Sequence, residues 1–114
     1  MTDEKRNVYL FNIKDTEIYK IGFTRKKPQL RLEALQTGNP FELLYINHYE
    51  SDRATKIESY IHRVYAHKKV TEDYESIKGE WFFLSSEDVE GFIKMCKKID
   101  QGLQVIEENS NFTE

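Results

Sequence analysis

Two short apolar runs separated by three polar residues constrain this chain more than any other feature. Val8-Tyr9-Leu10-Phe11-Asn12-Ile13 is apolar on both of its faces, and Glu17-Ile18-Tyr19-Lys20-Ile21-Gly22-Phe23 alternates. Lys14-Asp15-Thr16 between them is too short for anything but a tight turn. The pair therefore predicts an antiparallel hairpin whose first strand is covered on both sides.

The next elements follow from helix punctuation. Pro28 pre-sets a first helical turn, Leu32 and Leu35 form its inner side, and Gly38 with Pro40 stops it. Leu43-Leu44-Tyr45-Ile46, flanked by Phe41 and His48, predicts a third strand, after which Ser51 or Asp52 is expected to cap a longer helix. Ala54, Ile57, Ile61, Val64 and Tyr65 give that helix its buried stripe. Glu80-Trp81-Phe82-Phe83-Leu84 predicts a short strand, and Ser86-Glu87-Asp88 the cap of a last helix facing inward through Val89, Phe92, Ile93, Cys96 and Ile99. Val70 to Ile77 reads as a polar connection. The fold class is α+β: a small three-stranded antiparallel sheet flanked by helices, with an extra C-terminal strand and helix. One domain over residues 1–100 is expected, with 101–114 a frayed polar tail, since periodicity fades beyond Gly102. At 114 residues there is room for one core and no second domain.

Charge divides the chain. Residues 19–69 carry ten Lys or Arg against five Asp or Glu, a net +5, whereas residues 70–114 carry four against eleven, a net −7. A local basic surface can hold a phosphate backbone even though the whole chain is at −3, because counterion release responds to nearby charge. Arg25, Lys26, Lys27, Arg53 and Lys56 of the basic half are the expected nucleic-acid contacts, with two solvated faces as the plainer alternative. The single Cys96 cannot form an internal disulfide, and no apolar run approaches the roughly 18 residues of a membrane span. A cytoplasmic protein with no membrane partner is the simplest expectation.

Hydrolysing a phosphodiester needs a base for water, a cation near the pentavalent phosphorus and help for the leaving oxygen. Tyr9 and Tyr19 offer hydroxyls, Lys20 and Arg31 cations, and Glu58 a carboxylate one helical turn before His62. Gly22 permits close approach at the strand end. Taken singly each has an ordinary reading: a sheet tyrosine, an exposed helix arginine, a one-turn Glu-His surface pair. His48 and His67 stand in no motif, and Trp81 reads as core because Phe82 and Phe83 continue its apolar run.

The ordered blocks Val8-Tyr9-Leu10, Tyr19-Lys20-Ile21-Gly22-Phe23-Thr24, Arg31-Leu32 with Leu35-Gln36-Thr37-Gly38-Asn39-Pro40, Ala54 to His62, and Gly79-Glu80-Trp81-Phe82 resemble the GIY-YIG nuclease superfamily. The resemblance is to the short phage-type branch whose second motif reads Y-K-I-G-x-T. It implies a divalent-metal-dependent endonuclease acting on DNA by that superfamily's habit, with Tyr9 and Tyr19 as the paired motif tyrosines and one of them at or beside the base. It further implies Lys20 near the scissile phosphate, Arg31 on phosphate charge, Glu58 binding one Mg2+ or Mn2+, and His62 beside Glu58 or on phosphate. Mg2+ keeps much of its hydration shell, which suits a single carboxylate. The chain departs from the pattern at Asn7, where a leading glycine is usual, at Phe23, where many relatives carry Ser, His or Arg, and by one extra residue before Arg31. A silent relative that binds nucleic acid or inhibits a protein is the alternative, and a metal-independent phosphate-binding module a third. No added recognition module is visible, so specificity would come from loops, a protein partner or self-association.

Overall fold

The computed structural model describes residues 6–70 and 80–110. Strand β1 (Arg6–Ile13) is buried throughout except at Arg6, because it is an inner strand with helices over both faces. Strand β2 (Ile18–Thr24) pairs with it antiparallel, placing Tyr9 opposite Gly22 and Asn12 opposite Tyr19. The turn between them is fixed locally. Asp15 takes a left-handed φ of 64°, the Thr16 hydroxyl donates to the Ile13 carbonyl at 2.7 Å, and the buried Asn12 amide donates to the carbonyls of Thr16 and Ile18 at 3.0 Å each.

Helix α1 (Pro28–Gln36) begins on its proline and stops before Gly38, which takes a φ of 77°. The Gln36 side chain fastens that end to the next strand, donating to the Phe41 carbonyl at 3.0 Å and accepting from the Leu43 N–H at 2.8 Å. Strand β3 (Leu43–Ser51) pairs with β1 and carries a bulge: Leu10 faces Asn47 but Phe11 faces Tyr45, so Ile46 is the extra residue. Helix α2 (Ala54–Val64) follows at once. Because Ser51 is still paired with Arg6 in the sheet, the cap position falls to Arg53, whose N–H is taken by the Ser51 hydroxyl at 3.0 Å. Val64, expected in the buried stripe, is 42% exposed.

Strand β4 (Trp81–Phe83) adds to the outer edge of β2, giving a four-stranded antiparallel sheet in the order β3-β1-β2-β4. Ser85 then caps helix α3 (Ser86–Glu90) with a reciprocal Ser85-Asp88 capping box, one residue earlier than expected. Gly91 separates it from helix α4 (Phe92–Ser110). The expected tail at 101–114 is therefore corrected: residues 101–110 continue the helix, and 111–114 lie outside the described residues. Long-range contacts hold the extension. Leu103 packs on the main core, and Arg53 reaches Asp100 at 3.1 Å and Glu107 through two bonds of 2.9 and 3.1 Å.

Two cores lie on opposite sides of the sheet. Val8, Leu10 and Ile21 meet Ala54, Ile57 and Ile61 of α2 and Phe92 and Cys96 of α4 on one side. Ile13, Ile18, Leu43 and Trp81 meet Leu32 and Leu35 of α1 on the other. None of the described helices is long and apolar enough to cross a membrane.

Candidate active site

The candidate site arises because β4 is shorter than β2. Strand β4 pairs with Ile18, Tyr19 and Lys20, so among the described residues the outer edge of β2 beyond Lys20 has no neighbouring strand. Side chains from α2 take its place. His62 Nε2 donates to the Ile21 carbonyl at 2.6 Å, and the Glu58 carboxylate, one turn earlier, accepts from the Phe23 backbone. The Ile21 carbonyl and the Phe23 N–H on that edge are thereby satisfied, and the helix is set at one height along the strand. His62 Nδ1 lies 2.6 Å from Glu80 Oε2, just before β4. A carbonyl can only accept, so Nε2 carries the proton of this bond. The His62 ring also packs on buried Phe82, with centroids 5.2 Å apart.

Tyr9, Lys20 and Gly22 occupy the α1 side of the same strand pair. A Cβ on Gly22 would overlap the hydroxyl oxygen and Cζ of Tyr9, so the glycine is what lets the ring lie across β2. Arg31, on the exposed side of α1, reaches back to hydrogen-bond the Tyr9 hydroxyl. Lys20 is 8% exposed, with its ammonium 5.3 Å from the Trp81 ring centroid.

These groups feel one another. Burial raises Glu58 above the ordinary carboxylate range, opposed by the His62 charge and Lys20 and reinforced by Glu80. Burial lowers Lys20, as does the Arg31 charge, while Glu58 and Glu80 pull it back up. Burial raises the Tyr9 hydroxyl, with Arg31 opposing. A half-buried carboxylate on α2 and an almost buried ammonium on β2 lie close enough to feel each other's charge, an arrangement that suits a charged ligand.

The T5orf172 domain, a protein family, matches residues 7–97. The chain belongs to this family. The T5orf172 match runs from β1 into α4 and so includes every residue of the edge cluster. No curated protein and no solved structure matches the chain.

Within this T5orf172 domain, Tyr9, Lys20, Arg31, Glu58 and His62 come together from β1, β2, α1 and α2. Tyr19 does not join Tyr9. It lies an odd number of residues from Gly22 on β2 and packs instead against the core on the α2 side. The extra residue before Arg31 is absorbed in the first turn of α1, where the Arg31 N–H already bonds the Lys27 carbonyl at 3.3 Å. At Phe23 the backbone enters the site by donating to the Glu58 carboxylate. Arg25, Lys26 and Lys27 form the exposed β2–α1 loop, and Arg25 and Lys26 share with Arg31 a groove of about 490 Å³. Arg53, expected as a nucleic-acid contact, has its guanidinium bound to Asp100 and Glu107. Lys56 is exposed on α2, within the electrostatic reach of Glu107.

Glu80 is the residue that sequence reasoning missed. It stands in the quoted Gly79-Glu80-Trp81-Phe82 block, but its partner His62 is eighteen positions away and local spacing says nothing of the pairing. Among the described residues no three or more His, Cys, Asp or Glu converge as metal ligands. The donor set fits a hard ion held through one carboxylate oxygen group, with water completing its shell. Glu58 would hold it.

Proposed function

We propose that this T5orf172 domain is a divalent-metal-dependent endonuclease of the GIY-YIG type that hydrolyses phosphodiester bonds in DNA. The observation that carries the reading is the convergence of Tyr9, Lys20, Arg31 and Glu58 around the outer edge of β2, next to a basic loop. The GIY-YIG motif order supports it, since each motif contributes a side chain to that edge.

Arg31 offers a planar, always charged donor fork to the phosphate oxygens, where negative charge grows in the transition state. Lys20 adds a poorly solvated ammonium whose field is strong because protein rather than water surrounds it. With its proton retained, the Tyr9 hydroxyl orients the attacking water through an oxygen lone pair, held in place by Arg31 and the absence of a side chain at Gly22. A Mg2+ ion at Glu58 would supply acidified water and neutralise the leaving oxygen. His62 acts through Glu58: its bond to Ile21 and its 2.6 Å contact with Glu80 fix α2 on the strand edge.

A donor set of one carboxylate among the described residues favours a second reading, a module that binds nucleic acid without turnover. Magnesium titration of supercoiled plasmid nicking separates the two. The enzyme reading expects nicking that rises with Mg2+, stops with chelator and is lost in Glu58→Gln. Plasmid binding with no nicking at any metal concentration supports the module instead.

A further inference from the structure

A row of rings leads away from the β2 edge across the α1 side of the sheet. Tyr9 stacks on Phe11 with centroids 4.2 Å apart, and Phe11 meets Tyr45 at 6.4 Å. Tyr45 meets His48 at 6.0 Å and hydrogen-bonds its Nδ1 at 2.7 Å. Tyr9 and Phe11 are buried, whereas Tyr45 is half-buried and His48 exposed. The row thus surfaces on β3, at the floor of a groove of about 520 Å³.

The wall of that groove is the basic loop. Arg25, Lys26 and Lys27 line it, and the loop is pinned: the Asn7 amide donates to the Lys26 carbonyl at 3.4 Å, and the Lys26 N–H donates to the Thr24 hydroxyl at 3.1 Å. Arg25 and Lys26 also line the groove that holds Arg31, so the two hollows share a wall. Anything lying along this wall at one end meets Arg31 and at the other Tyr45 and His48.

Aromatic faces beside fixed cations suit unpaired nucleotides, whose bases stack while their phosphates take the charge. A base inside a duplex has both faces covered by its neighbours and cannot offer one to a ring. The groove volume is that of a site for one small group, and Glu50 on its floor accepts hydrogen bonds. A carboxylate there disfavours a bare anion and favours a ligand that also carries amino groups, as nucleobases do.

We propose that this groove is a subsite for an unpaired nucleotide flanking the cleaved phosphate, its base on Tyr45 and His48 and its phosphate on Arg25 and Lys26. The inference rests on the nuclease reading for the position of the cleaved phosphate. It assigns the substrate class as a duplex with a single-stranded extension.

The test compares a blunt duplex with the same duplex bearing a five-nucleotide unpaired tail that contains 2-aminopurine, using the intact protein without metal. Stacking predicts that the tailed duplex binds about tenfold more tightly and that 2-aminopurine fluorescence is quenched. Tyr45→Phe keeps both effects. Tyr45→Ala and His48→Ala each lose most of the preference while blunt-duplex affinity holds. Because Tyr45 leans on buried Phe11, the exposed His48→Ala is the variant whose fold is not in question. No preference in the wild type overturns the proposal, as does full preference in either folded alanine variant. Plasmid nicking is read separately: nicking without tail preference sinks the subsite alone, and tail preference without nicking sinks the hydrolase reading alone.

Discussion

Replacing Gly22 by alanine tests the packing on which the candidate site depends. The new Cβ would overlap the Tyr9 hydroxyl oxygen and Cζ and stand 3.0 Å from Cε1, and Tyr9 is 1% exposed, so the ring has no empty space to enter. Overpacking of this kind costs about 1–3 kcal/mol. Alanine in a compatible backbone also removes freedom from the unfolded chain, which stabilises by about 0.4–1 kcal/mol. Crowding wins, leaving a net loss of about 1–2 kcal/mol, or about 4–8 °C in Tm for a chain of this size. The decisive step is to repeat the substitution in a Tyr9→Leu background, since leucine lacks the three crowding atoms. There Gly22→Ala should be neutral or slightly stabilising. Thermal unfolding of the four proteins followed by circular dichroism gives the coupling directly. An equal penalty in both backgrounds, or none in the first, refutes the contact.

Glu58→Gln should alter stability in a pH-dependent way. Burial places the folded carboxyl above its ordinary value of 4.5, so the group contributes most below that value and its contribution is lost as pH rises through the folded value; the amide variant should therefore gain on the wild type from acid to neutral pH, and denaturant titrations at several pH values showing a constant gap would contradict this. Tyr9→Phe should slow cleavage by about two orders of magnitude, whereas Tyr19→Phe, on the other side of the sheet, should cut at nearly the wild-type rate; the reverse ranking in single-turnover assays would move the catalytic hydroxyl to Tyr19. Arg53→Ala should leave DNA affinity unchanged while amide exchange quickens in residues 101–110, and a loss of affinity matching that of Lys26→Ala would return Arg53 to the nucleic-acid surface.

What was legible in the sequence was what local chemistry dictates. The hairpin around Lys14-Asp15-Thr16, the proline start and glycine stop of α1, and the buried stripe at Ala54, Ile57 and Ile61 follow from periodicity and turn residues within a few positions. The helical run at 101–110 was not, because a glycine and thinning apolar spacing precede it while its supports, Arg53 to Glu107 and Leu103 to the core, act across half the chain. The candidate site shows the same division. Motif residues indicated Tyr9, Lys20, Arg31 and Glu58, but which tyrosine shares a side with Arg31 depends on strand register, and Glu80 enters because β4 begins beside His62. A net +5 over residues 19–69 could not tell Arg53, committed to carboxylates, from the exposed Arg25, Lys26 and Lys27.

The central claim is that the β2 edge stabilises a transition state and does more than bind a backbone. Single-turnover cleavage rate and dissociation constant, measured on one DNA substrate for the wild type and Arg31→Ala with Lys26→Ala as comparison, test it most directly. The account predicts that Arg31→Ala loses about 100- to 1,000-fold in rate with affinity nearly unchanged, while Lys26→Ala loses affinity and flattens the salt dependence with its bound-state rate intact. Equal proportional losses of rate and affinity in Arg31→Ala would contradict it.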